Sequence, residues 1–365
     1  MAKALILFLL VFPTAQALGQ SAPPNINELL EAVRQRHRMP ALAAAVVTSS
    51  GLLAQGAVGV RKAGTDVKVT VDDLWHLGSD TKAMTATMIG ALEEQGRLKW
   101  DSTITDAFPE LAAAFAPVMR KATLFQLLSH RAGLIENIEW SKIAQTGTTR
   151  EQREEALKMA ARAPLRSAPG AGYVYSNLGY VVAGAMAERA ANTSWEELMT
   201  RMVFEPLRMR SAGFGGTGTP GVIDQPWPHH ENGRPASSNG PKADNPPVMG
   251  PAGTVHCTMA DWGRFITDQL KGARGERAML RTFTYKMLHT PVGDSNYAPG
   301  WIVTERDWGG GTVLTHAGSN TLNYCVVWMA PRVDYAFLVC TNQGGPAAAK
   351  ATDDAAGMLI RNYLK

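Results

Sequence analysis

Ser79-Asp80-Thr81-Lys82 sets a hydroxyl and an amine three residues apart, and no other S-x-x-K occurs in the chain. On a helix, positions i and i+3 share a face, so the Lys82 amine can reach the Ser79 hydroxyl. A serine hydroxyl is a poor nucleophile until a neighbour takes its proton. A lysine can take it only when partly desolvated, because burial disfavours the ammonium. Leu74, Trp75, Leu77, Met84 and Met88 supply apolar surroundings, and Gly78 permits a sharp turn into the helix. Read alone, the tetrapeptide also fits a solvated helix face with Asp80 as an ordinary first-turn acid.

Two further segments offer partners. Tyr175-Ser176-Asn177 is the single Y-x-N of the chain. A tyrosine against a serine and a lysine can relay a proton, and Asn177 can hold the lysine and a substrate amide. The same three residues also fit a helix N-cap, with Ser176 or Asn177 capping Leu178 onward. The run Val313 to Ser319 closes on His316-Ala317-Gly318-Ser319. Gly318 leaves room for a substrate beside a strand edge. The Ser319 N–H can join the Ser79 N–H as an oxyanion hole, and His316 can donate to a substrate carboxylate or carbonyl. His76-Leu77-Gly78 matches H-x-G as well, so that motif carries weight only in company.

Taken together and in order, the three segments resemble the serine β-lactamase and penicillin-binding-protein superfamily, whose signature is S-x-x-K, Y-x-N or S-x-N, and K-T-G. The middle tyrosine resembles the class C β-lactamase branch with its related esterases and D,D-peptidases. Further segments agree with that branch: Leu127 to Leu134 (L-L-S-H-R-A-G-L), Gly96 to Asp101 (G-R-L-K-W-D), and Gly250-Pro251-Ala252-Gly253 followed by Met259 to Phe265. The resemblance runs over roughly 27–364. It implies Ser79 as the acylated nucleophile, Lys82 as the adjacent base, and Tyr175 as the partner acid or base. It also implies substrate contacts from Asn177, His316, Gly318 and Ser319, with backbone oxyanion donors at Ser79 and Ser319. Asn137 is the nearest candidate for a glutamine that contacts the substrate amide in class C enzymes.

One position departs from the pattern. His316 stands where penicillin-recognising members have lysine, a permanent charge for a substrate carboxylate. A histidine is a weaker, pH-dependent handle. The expectation is therefore a serine hydrolase acting on esters, D-amino-acid peptides or amides more readily than on β-lactams. The alternative is a penicillin- or cell-wall-peptide-binding sensor of the same fold without turnover.

The elements that must position these groups are legible in outline. Ile26 to Arg36 reads as a helix, and Ala41 to Val47 with Leu52 to Val60 as a hairpin. Ser79 to Gln95 reads as a helix ending at Gly96. Helical pattern dominates from Ser102 to Ser194, including Glu151 to Arg162 and Gly179 to Ala191. The stretch 211–252 carries eight prolines and little periodicity, the mark of a functional loop or a cover over a site. Strand patterns return at Gly300 to Val303, Thr312 to Thr315, Tyr324 to Met329 and Tyr335 to Thr341, before a helix from Ala347 to Tyr363. With strands at both ends and helices between, the expected fold is α+β. An antiparallel sheet of about five strands, flanked by helices (24–101 and 253–365), adjoins a mostly helical and loop-rich insertion (102–252), with the site between them.

Composition sets the bounds. The chain has 365 residues, 45% hydrophobic and 19% charged, enough to fill a sizeable core. Its 36 Lys and Arg against 32 Asp and Glu leave +4 with no basic block, which gives no nucleic-acid footprint and favours a small-molecule or peptide substrate. Lys3, the apolar run Ala4 to Phe12 and Ala15-Gln16-Ala17 read as a secretory signal (1–19), too short for a stable membrane anchor. A periplasmic or secreted protein is expected, with no cofactor. His229-His230-Glu231 and His256-Cys257 lack familiar metal-ligand spacing, so no metal is expected. A four-residue turn at Pro331 to Asp334 would pair Cys325 with Cys340, either as a cross-strand disulfide or as two buried thiols.

Overall fold

A computed structural model describes residues 25–143 and 146–364. The proposed signal segment lies outside the described residues. Among the described residues ten strands form: β1 (Ala41–Thr48), β2 (Gly51–Gly59), β3 (Trp75–His76), β4 (Gly213–Phe214), β5 (Val255–Cys257), β6 (Tyr297–Ala298), β7 (Trp301–Arg306), β8 (Gly311–Ser319), β9 (Tyr324–Ala330) and β10 (Tyr335–Thr341). Seven of them make one antiparallel sheet in the order β2-β1-β10-β9-β8-β7-β6, and β3-β5-β4 make a second, small one. The main sheet thus has seven strands rather than about five. The two-residue β6 is too short to show a period, yet it extends the sheet beside β7.

Alternation explains how the sheet separates two cores. Along β1, Ala41, Ala43, Ala45 and Val47 enter one core and Leu42, Ala44 and Val46 the other. Successive side chains of a strand face opposite sides, so a strand covered on both faces reads as one continuous apolar run. Helices α1 (Ile26–His37) and α7 (Pro346–Tyr363) cover one face. They contribute Leu30, Val33, Ala351, Ala355 and Leu359. On the other face lie α2 (Thr81–Glu94) and α5 (Met259–Ala273), with Met84, Met88, Trp262, Phe265 and Leu270. Cys325 and Cys340 are directly opposed across β9 and β10, and both are buried free thiols.

The middle of the chain contributes α3 (Thr149–Arg162) and α4 (Asn177–Ala191), with α6 (Thr282–His289) following α5 later in the chain. Ser176 caps α4 by accepting from the Gly179 N–H, which fixes where Asn177 leaves the loop and enters the helix. Arg153 of α3 is fully buried and joins these helices. Its guanidinium donates to Glu188 Oε1 at 2.8 and 3.0 Å, to Glu196 Oε2 at 2.7 Å, and to the Pro247 carbonyl at 3.3 Å. Glu188 is equally buried, so removing the arginine strands a carboxylate. Arg153→Ala is expected to cost about 3–5 kcal/mol in urea unfolding; a loss under about 1 kcal/mol would show the cluster to be ornamental.

Candidate active site

Two chain segments touch at the centre of the site through their backbones. Gly78, in the left-handed region at φ +48°, opens a 3-10 turn (Gly78–Asp80) that runs straight into α2. A Cβ on Gly78 would lie 2.3 Å from the Ser319 nitrogen. One on Gly318 would lie 1.9 Å from the Leu77 carbonyl oxygen and 2.9 Å from the Ser79 nitrogen. Only glycine at both places lets the end of β8 approach the nucleophile turn, and this approach is what sets the Ser79 and Ser319 amides side by side.

Ser79 is half-buried, and its Oγ accepts from the Lys82 amine at 3.0 Å and from the Tyr175 hydroxyl at 2.9 Å. Lys82 is completely buried. Its Nζ also donates to Asn177 Oδ1 at 2.8 Å and to the Ala252 carbonyl at 2.7 Å, so the Pro-Ala-Gly segment seen in the sequence closes the floor beneath the amine. Burial brings the Lys82 pKa down to about 7, against weaker opposing pulls from Asp80 and Glu136. Burial pushes the Tyr175 phenol up from its usual range, which keeps it protonated, while its bond to Ser79 pulls the other way. Two adjacent groups with proton affinities driven apart are a base and an acid by construction.

Asn177 in turn donates from Nδ2 to Asn137 Oδ1 at 3.1 Å, and Asn137 Oδ1 also accepts from the Trp140 indole at 3.1 Å. Ser79, Lys82, Tyr175, Asn177 and Asn137 are therefore joined in one hydrogen-bonded series. His316 stands beside it, facing inward. Its Nδ1 lies 3.2 Å from Asp80 Oδ1 and its Nε2 lies 3.1 Å from the Tyr297 hydroxyl. The ring is buried, with Nδ1 turned toward Asp80 and Nε2 toward Tyr297. Burial raises the Asp80 carboxyl above its usual range, opposed by His316 and by the Cys325 thiol, which donates to Asp80 Oδ2 at 2.9 Å.

Several contributors are given no role by the motifs. His130 packs its ring 4.3 Å from that of Tyr175, centroid to centroid, and accepts from the Ser176 N–H through Nδ1. Burial lowers its pKa well below the ordinary range, and the neutral ring serves as a wall. More unexpected is Asp244, from the proline-rich stretch. Its side chain is wholly buried, with Oδ1 2.7 Å from His76 Nε2 and accepting from Asn320 Nδ2 at 2.9 Å. His76 accepts the Gly78 N–H on its other nitrogen. One carboxylate thus braces the turn before Ser79 and the residue after Ser319. The proximity of His76 to Gly78 is visible in the sequence; the arrival of Asp244 is not. His229 is occupied structurally, accepting from the Ala63 N–H and facing the Asn342 carbonyl.

A half-buried serine with an amine, a phenol and two backbone amides around it, on this sheet-and-helix frame, defines a β-lactamase or transpeptidase type of protein. The family model described as Beta-lactamase matches residues 26–361, and the chain belongs to that family. Among curated proteins it is 26% identical over 350 residues to "Penicillin-binding protein 4" of Amycolatopsis lactamdurans, covering 90% of this chain and 87% of that one. It is 20% identical over 331 residues to "Protein flp" of Staphylococcus aureus (strain N315), covering 89% of this chain and spanning 64% of that protein's length. Among solved structures, the octameric penicillin-binding protein homologue from Pyrococcus abyssi superposes with a TM-score of 0.74 at 18% identity, over 92% of this chain and 77% of the other. SurE superposes with a TM-score of 0.73 at 22% identity, over 92% and 75%.

If Asp244 braces both oxyanion segments, Asp244→Ala should lower kcat by roughly 10- to 100-fold with little change in KM, since small misplacements of catalytic groups are that expensive. Asp244→Asn, which keeps an acceptor for Asn320, should recover part of the loss. Steady-state kinetics beside a melting curve decides it: a lowered melting temperature with unchanged kcat would reduce Asp244 to a structural residue.

Proposed function

We propose that the protein is a secreted serine hydrolase of the class C type, working through an acyl-enzyme on Ser79. Family membership supports hydrolase-type activity in general terms. The observation that carries the specific reading is that one hydroxyl oxygen, Ser79 Oγ, meets both a buried amine and a buried phenol. In the active form Lys82 is neutral and takes the Ser79 proton as Oγ attacks the substrate carbonyl carbon. The Ser79 and Ser319 N–H groups hold the resulting oxyanion. Tyr175 hands its proton to the departing oxygen or nitrogen as that bond breaks, and the Lys82 ammonium restores it, so the proton lost by Ser79 is balanced by the one gained by the leaving group. Water then repeats the attack on the acyl carbon, giving up its proton to the same pair, and Oγ leaves with a proton restored.

Esters and D-amino-acid peptides or amides suit this site better than β-lactams. A β-lactam presents a carboxylate that the lysine of K-T-G would hold, and His316 is buried, facing Asp80 and Tyr297. Asn177 and Asn137 are the polar groups available to an acyl-side amide.

Mixing the enzyme with excess p-nitrophenyl acetate should give a burst of one chromophore per protein followed by steady release, and Ser79→Ala should abolish both. A burst without turnover would favour a sensor of the same fold. Lys82→Ala and Tyr175→Phe should each lower kcat by about 10² or more. Because Lys82 acts as a base only when uncharged, kcat/KM should climb with pH through about 7 and then level off. A climb centred near 10, the range of an ordinary lysine, would contradict the role given to its burial.

A further inference from the structure

The basic side chains bonded into the site around Ser79 are committed. Lys82 is buried on three oxygens, and His316 is 4% exposed with Asp80 and Tyr297 on its two nitrogens. Arg131 is tied to Asp294 Oδ1 at 2.6 Å and to the Gly170 carbonyl at 2.7 Å. The anion Glu136 is different. Its residue is exposed, and among the described residues its carboxylate enters no ion pair and no hydrogen bond.

Its place is fixed all the same. Three consecutive residues are laced to the segment that carries Asn177. The Ile135 carbonyl accepts from Ser176 Oγ at 2.7 Å, the Glu136 carbonyl accepts from the Leu178 N–H at 3.2 Å, and Asn137 Oδ1 accepts from Asn177 Nδ2 at 3.1 Å. Glu136 therefore stands one residue from Asn137 and across from Asn177, on a main chain that cannot drift away from the site. The charge is felt inside: it favours the protonated forms of both Lys82 and Tyr175. An unpaired charge carried on a held main chain beside a cleft concentrates ligands of the opposite sign.

We propose that Glu136 is a specificity residue that selects substrates carrying a free ammonium within a few bonds of the scissile carbonyl. Aminoacyl esters, aminoacyl amides and the first peptide bond of a chain with a free amino end have that chemistry. The inference rests on the serine-hydrolase reading above and adds the substrate's charge to it. A substrate with a carboxylate in the same place meets repulsion from Glu136, and Lys82 and Arg131 are held by other partners. The position is not one that the three catalytic motifs mark.

The test compares alanine p-nitroanilide, its N-acetyl form and its N-succinyl form, in both D and L series, at pH 7 where the free α-amine is mostly protonated. Wild-type kcat/KM should favour the free amine over the N-acetyl form by about tenfold or more, with the succinyl form lowest. Glu136→Gln should compress the spread to within about twofold, and Glu136→Lys should invert it in favour of succinyl. Each ratio is taken on one enzyme sample, so partial misfolding cancels. The wild-type preference should also shrink as salt is raised. Equal rates for the free-amine and N-acetyl forms, or a ratio unmoved by Glu136→Gln, would overturn the assignment. A p-nitrophenyl acetate burst in that same enzyme would show the serine-hydrolase reading to be intact; absence of any burst would sink both.

Discussion

An amine with no access to water is the constraint around which the site is arranged. Lys82 has no exposed surface, and burial of that kind brings its proton affinity into the neutral range. A buried lysine is expensive unless every proton it carries finds an oxygen, and here three do: Ser79 Oγ, Asn177 Oδ1 and the Ala252 carbonyl. Each oxygen comes from a different stretch of chain. The turn that bears the nucleophile, the capped start of α4 and the short helix Gly250–Gly253 must all be in place before the amine is satisfied. The hydrogen bonds that make Lys82 tolerable in the folded state are thus the same ones that align the reacting groups.

The second constraint is steric and acts through absent atoms. At Gly78 and Gly318 the two backbones approach so closely that any side chain would strike a main-chain atom. The approach holds the last residues of β8 against the nucleophile turn from one side, while Asp244 grips His76 and Asn320 from the other. The proline-rich stretch therefore contributes to the site by carrying a single carboxylate inward, through residues that have little regular structure of their own.

Much of this is legible in the sequence. Ser79, Lys82, Tyr175 and Asn177 announce themselves by residue type and order, and the structure joins them within hydrogen-bonding distance. The turn at Pro331 to Asp334 set the register of β9 and β10 by its length, and Cys325 does face Cys340. What stayed hidden has a common physical cause. Strand β6 is two residues long and shows no period. Asp244, Tyr297 and Glu136 depend on contacts between residues far apart in the chain, which no local pattern encodes. His316 shows the limit best: its position in the third motif was plain, but the direction of its ring depends on a buried carboxylate and a phenol from two other elements.

The pairing of β1 with β10 has a consequence for how such a chain comes into being. Leu42 sits opposite Thr341, one strand in from the edge of the sheet and almost at the other end of the chain. At a ribosomal pace of roughly 5–20 residues per second, the partner of β1 is synthesised about 15–60 s after β1 itself. Until then the apolar run Ala41 to Val47 has β2 on one edge and nothing on the other, an open edge of the kind that invites aggregation. Maturation is therefore governed by a late, long-range closure, and a chain lacking its last strand would be a client for chaperones rather than a smaller working protein.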